Sequence, residues 1–208
     1  MTYHHSGSFE ILRWIISIAV PAISGLVGVL IGAWLTNRQQ RERRKLEFVE
    51  NQLKYFYSPL LGIRDEIRFL SELRMKTTKE ANKVWSQLCE KWQKAEHDVY
   101  KEMTEERGKA FERIINYDNQ KFREDMLPAY HRMIDIFKEK YYLADEKTRV
   151  NFQALIEFVD IWDRFLDKSL PAEVSKKLDY KEEKLYPLYE DLQNKHDELR
   201  KRLAAGKI

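Results

Sequence analysis

Three histidines beyond the first few residues, His97, His131 and His196, are the side chains of this chain best suited to chemistry. An imidazole can ligate a metal or move a proton near neutral pH. A carboxylate-bridged di-metal bundle needs a Glu three residues before a His, so that both project from one helix face. The positions three before these histidines hold Lys94, Pro128 and Gln193, so that pattern fails at each. Helical-bundle ribonucleases set an Arg about five to seven residues before a His, on neighbouring turns. None of the three histidines has one there. His131 and Asp135 are four apart and share a helix face with Arg132 beside them, an arrangement that could pass a proton. Glu96-His97-Asp98 and His196-Asp197-Glu198 are consecutive, and consecutive helical side chains point apart. With 34% of residues charged, solvated local pairs explain all three sets.

The sequence has no phosphate-cradling glycine loop, no HExxH and no EF-hand loop. Cys89 is the single cysteine, which excludes an intrachain disulfide and a cysteine-based zinc site. Between Leu88 and Trp92 it reads as a small buried hydrophobe, and the lack of disulfides fits a reducing compartment. No catalytic, cofactor-binding or metal-binding residue is assigned, and no cofactor is expected. Among the weak sets, His131 with Asp135 is the first to mutate.

The elements that would position any such group begin with the stretch from Trp14 to Trp34, which contains no charged residue. As a helix it is roughly 30 Å long, the thickness of a bilayer's hydrocarbon core. A tryptophan stands at each end, where indole rings settle at the headgroup level. The expectation is a short tail over 1–10, one transmembrane helix over 11–35 and a basic juxtamembrane helix over 36–57. A cytoplasmic antiparallel helical bundle then fills 58–208. A cleaved signal peptide fits poorly, because the basic cluster follows the apolar run instead of preceding it. That cluster, Arg38, Arg41, Arg43, Arg44 and Lys45, forms a collar suited to anionic lipid headgroups. It also places the body in the cytoplasm and the tail outside. Ser24, Gly28 and Gly32 lie four apart on one helix face, where two membrane helices can approach closely. Pro21 should bend the outer third of the span, with Ser17 placed to help satisfy the freed backbone.

The formal net charge is +3, and Arg38 to Lys45 alone contributes about +4, so the remaining body is close to neutral. A nucleic-acid-binding face would need a concentrated positive excess, so no nucleic-acid partner is expected. Scarce glycine and proline and abundant Leu, Glu, Lys and Arg describe long helices. Leu46, Val49, Leu53 and Phe56 form one apolar stripe. Ser58-Pro59 reads as a helix restart, with Ser58 as cap, and Thr77-Thr78 as a break. Leu127-Pro128 opens another helix, and Asp145 caps the one bearing Phe152, Leu155, Phe158 and Val159. Leu185, Leu188, Leu192, Leu199 and Leu203 mark the last, with His196 in the gap. Trp85, Trp92 and Trp162 are expected in the core. Tyr57-Ser58-Pro59-Leu60 and Tyr186-Pro187-Leu188 suggest matched bends in neighbouring helices.

Two stretches, VENQLKYFYSPLLGIRDEIRFL and FVDIWDRFLDKSLPAEVSKKLDYKEEKLYPLYEDLQNKHDEL, carry a resemblance. Through Gln52, Leu53, Tyr57, Pro59, Leu60, Trp162, Pro171 and Pro187 they are similar to uncharacterised bacterial single-pass membrane-anchored helical proteins. In that group a Gln-Leu-x-x-Phe/Tyr-Tyr-x-Pro-Leu stretch follows the N-terminal span. The resemblance implies a bacterial inner-membrane setting and supplies no activity or catalytic residue. The expectation from the whole sequence is a non-enzymatic interaction protein. Its partners would be membrane lipids and a second copy or another membrane protein, in a stress or phage-defence sensor or effector. The competing expectations are an accessory subunit of a larger membrane complex and a membrane-tethered enzyme using His131 and Asp135.

Overall fold

The computed structural model describes residues 6–93, 97–178 and 181–206, with side chains described from Gly28 onward except at 97–99, Ala172 and Ser175. Among the described residues seven α-helices follow in order: α1 Ser6–Gln52, α2 Ser58–Trp92, α3 His97–Lys121, α4 Leu127–Glu139, α5 Glu146–Leu166, the single turn α6 Ala172–Ser175, and α7 Tyr186–Ala205. No strand occurs among the described residues.

Two junctions read as breaks in the sequence are instead continuous. A π turn at Leu53–Tyr57 joins α1 to α2, and another at Phe122–Met126 joins α3 to α4. Ser58 is not a cap: it is helical, and its N–H donates to the Leu53 carbonyl. Leu127 likewise donates to Phe122. Each π turn sits just before a proline, Pro59 or Pro128. A proline ring clashes with the carbonyl four residues back and cannot donate to it. A wider turn gives the ring clearance, so the helix absorbs the proline without ending. Thr77-Thr78 does not interrupt α2, nor Gly108 α3. A threonine costs an exposed helix only tenths of a kcal/mol, roughly, far less than ending and renucleating it.

The bundle is antiparallel. Along α2 and the α3–α4 rod, Arg132 meets Glu66, Asp118 meets Thr78 and Phe111 meets Trp85, so one strand of numbering falls as the other rises. The α4–α5 pair behaves the same way through Phe137–Phe152 and Tyr130–Phe158. The α5–α7 pair does so through Thr148–Asp191 and Asn151–Pro187. The core gathers where α4, α5, α7 and the α1–α2 junction meet. Phe56, Tyr57, Tyr130, Phe137, Leu155, Leu188 and Leu192 are fully buried there. Phe137 and Phe152 stack with centroids 3.7 Å apart. The outer parts of α2 and α3 form a two-helix arm, packed through Trp85, Trp92 and Phe111.

α5 ends as a left-handed cap on a lysine. Lys168 has φ 54°, and the Ser169 N–H closes back on the Arg164 carbonyl at 3.0 Å. Tyr186-Pro187 does begin a helix, preceded by a 3₁₀ turn at Glu182–Leu185. The two aromatic-proline-leucine segments are therefore different devices, a widened turn and a helix start, although the first π turn and α7 are neighbours.

The expected span meets the structure only in part. The backbone of α1 is one helix of 47 residues, about 70 Å long, and the Trp14–Trp34 run lies within it. Among the described residues no helix is long and apolar enough to cross a membrane. Most of the run, residues 14–27, lies outside the described side chains, as do Ser17, Pro21 and Ser24.

Candidate functional site

The residues singled out for chemistry do not assemble into one site. His131 and Asp135 are both exposed, and the imidazole points away from Asp135 to α5, where Nε2 lies 3.1 Å from Asp163 Oδ1. Both side chains are a little under half exposed, so the pair is a surface contact between two helices. His196 Nδ1 sits 3.4 Å from its neighbour Asp197, and the side chain of His97 and all of Glu96 lie outside the described residues. Cys89 is partly buried, not fully. No group of three or more His, Cys, Asp or Glu suited to a metal occurs among the described residues.

Gly28 and Gly32 lie on an open part of α1: a Cβ built on either meets no atom within 4 Å. The collar is exposed throughout but divides in two. Arg38 pairs with Glu42 at 3.5 Å and lies over the Trp34 ring. Arg41, Arg43, Arg44 and Lys45 make no ion pair among the described residues. Arg44 and Lys45 open onto a cleft of about 380 Å³ between α1 and the end of α7, with Gln52, Asp145, Lys195 and Arg202 around it.

Behind this cleft lies a buried polar seam that no sequence spacing announces. It begins at Gln52, whose Nε2 donates to the Leu143 carbonyl at 2.7 Å. A hydroxyl chain follows. The Asp145 N–H donates to Tyr57 Oη at 3.2 Å. Thr148 Oγ1, fully buried, donates to Asp191 Oδ2 at 2.6 Å. Since the single Thr148 proton is spent on the carboxylate, the 3.2 Å contact between Tyr57 and Thr148 must run from the phenol to the threonine. The donors thus point one way, from the α5 N-terminus through Tyr57 and Thr148 to Asp191. Aligned hydrogen bonds of this kind polarise one another in a low-dielectric interior.

Electrostatics close the seam. Lys147 reaches the other Asp191 oxygen at 3.4 Å. Lys195 bridges Asp145 and Glu198. Burial pulls the Lys195 ammonium down, yet these two carboxylates hold it above its ordinary value. Burial raises the Tyr57 phenol, a rise that the Thr148 contact only partly offsets, so the group stays a neutral donor. Asp145 occupies the expected N-cap position, but its carboxylate makes no capping bond and faces Lys195. The seam therefore ties α1, the α1–α2 junction, α5 and α7 together at one point. Its partners are distant in sequence, 91 residues for Tyr57 and Thr148, 43 for Thr148 and Asp191. No protein-family model, curated protein or solved structure matches this chain.

Proposed function

We propose that this chain is a non-enzymatic interaction protein, anchored in a bacterial inner membrane by the Trp14–Trp34 run and associating there through Ser24, Gly28 and Gly32. The observation that carries this reading is the continuity of α1. One helix contains the apolar run, the collar and the residues Val49 and Gln52, which are buried in the bundle. An anchor joined to a body by a flexible linker would hold it near a membrane and do nothing more. A stiff rod whose inner end is locked by the Gln52–Tyr57–Thr148–Asp191 seam links the packing of the membrane helices to the bundle.

The collar suits this placement. From Leu35 to Arg38 and Arg41 the helix rises about 5–9 Å, the depth of a headgroup layer. Arg44 and Lys45 stand about 14–15 Å out, within reach of a negative surface potential. The test is crosslinking in intact membranes. Gly28→Leu or Gly32→Leu lowers the yield of crosslinked oligomer, since a bulky side chain there separates the backbones. An unchanged yield, or a full-length chain found in the soluble fraction after gentle lysis, overturns the proposal.

A second reading, a small subunit of a larger membrane complex, draws on the α2–α3 arm. There Phe69, Leu73, Ile115 and Tyr117 are all more than half exposed. Co-purification of another protein at fixed stoichiometry would favour it over self-association.

A further inference from the structure

A second cavity, of about 560 Å³, opens on the far side of α7 between that helix and α2. Arg64 and Ser71 of α2 form one wall with Met75, and Glu182, Tyr186 and Tyr189 form the other. The size and the mixture of aromatic surface with a few convergent polar groups are those of a small-molecule site. At its base lies a hydrogen-bonded cluster: Tyr130 Oη donates to Glu182 Oε1 at 3.2 Å, and Tyr189 Oη donates to Tyr130 Oη at 3.4 Å.

Arg68, Glu72 and the exposed Glu190 also line this space, and within it Arg64 and Glu182 stand as opposite charges with no ion pair between them among the described residues. Arg64 lies over the Tyr189 ring at 5.2 Å, and among the described residues its one carboxylate contact is the adjacent Asp65 at 3.8 Å. A guanidinium carries five N–H donors, so most of its hydrogen-bonding capacity is unspent. The second arginine on that wall, Arg68, is already divided between Asp65 and Glu72. Glu182 accepts from Tyr130 and forms no ion pair among the described residues, while the Arg64 charge acts on it through space. Burial pushes this carboxyl above its usual range, which the phenol contacts only partly counter. A purely anionic ligand would meet Glu182, and a purely cationic one would meet Arg64. Only a molecule bearing both charges satisfies both walls.

We propose that the α2–α7 cavity binds a small zwitterion of the amino-acid type, its carboxylate on Arg64, its ammonium on Glu182, and an apolar or aromatic side chain against Met75 and Tyr186. The site is independent of the membrane anchor. Such a ligand would clasp α2 to the start of α7.

The test uses the full chain in lipid nanodiscs and titration calorimetry at neutral pH with three probes sharing one ring. L-phenylalanine carries both charges, phenethylamine the ammonium alone and 3-phenylpropanoate the carboxylate alone. Phenylalanine binds at least about tenfold tighter than either half-charged probe, a modest demand for loss of one charge-assisted contact. Arg64→Gln and Glu182→Gln each weaken phenylalanine at least about tenfold by the same argument. Arg64→Gln leaves phenethylamine no weaker. Ser71→Trp, which fills the cavity from α2 and leaves both charges in place, abolishes binding and serves if either charge variant fails to fold. Absence of phenylalanine binding by the folded wild-type chain, equal binding of a half-charged probe, or indifference of binding to these substitutions overturns the proposal.

Discussion

Thr148→Val is the sharpest probe of the polar seam, because valine matches threonine in shape and removes only the hydroxyl. Thr148 is fully buried, so no water replaces what is lost. Its hydroxyl donates to the buried Asp191 carboxylate at 2.6 Å, a bond to a charged group worth about 1.5–3 kcal/mol. It also accepts from Tyr57 at 3.2 Å, a neutral bond worth about 0.5–1.5 kcal/mol. The expected loss is about 2–4 kcal/mol. Thr148→Ser keeps both bonds and loses one methyl, for about 1 kcal/mol. Tyr57→Phe removes the middle link and costs about 1–3 kcal/mol for its two bonds. In the Thr148→Val background that phenol has already lost its acceptor, so the double variant falls short of additivity by about 1 kcal/mol. Urea unfolding of the full chain in mild detergent, followed by circular dichroism, measures all four. A Thr148→Val variant within about 0.5 kcal/mol of wild type, or a strictly additive cycle, would refute the directed chain of donors.

Two further outcomes follow from local chemistry. Glu182 has its folded carboxyl raised above the ordinary 4.5, so between that value and the raised one the folded chain holds more protons than the unfolded chain. Its contribution to stability is full below the unfolded value and is lost as pH rises through the folded one. Glu182→Gln lacks this loss, so its melting temperature relative to wild type climbs from acid to neutral pH; a difference flat with pH counts against the buried carboxyl. Lys168 sits in the left-handed region, where a Cβ costs energy and glycine does not. Lys168→Gly raises stability by about 1 kcal/mol, or about 2–4 °C in melting temperature, and a lower melting point would contradict it.

The apolar framework was readable in the sequence because helices write their buried faces locally. Leu185, Leu188, Leu192 and Leu199 are all buried, and Phe152, Leu155, Phe158 and Val159 line the inner side of α5 as their spacing predicts. The series fails at its end: Leu203, in the last turn of α7, is 39% exposed. Trp92 is buried, while Trp85 and Trp162 are only partly so. The two π turns were missed because Ser-Pro and Leu-Pro look alike at a helix start and inside a widened turn. What decides between them is a core that rewards unbroken packing across the junction. The polar seam and the Arg64–Glu182 cavity had no signal at all, since their members meet only through tertiary pairing. The histidines drew attention by residue type, and the structure leaves His131 and Asp135 on the surface.

The π turn at Leu53–Tyr57 has a geometric consequence for everything before it. One residue of helix is worth about 100° of rotation, and a π turn holds roughly one residue more than an α turn. The azimuth of the N-terminal rod relative to the bundle is therefore set by a single extra residue next to Pro59. Deleting one residue from 53–57 would swing Gly28 and Gly32 about a quarter turn around the axis while leaving their composition and spacing untouched. Which flank of the rod a neighbour meets is thus decided some twenty residues away, by whether this coil is wide or tight.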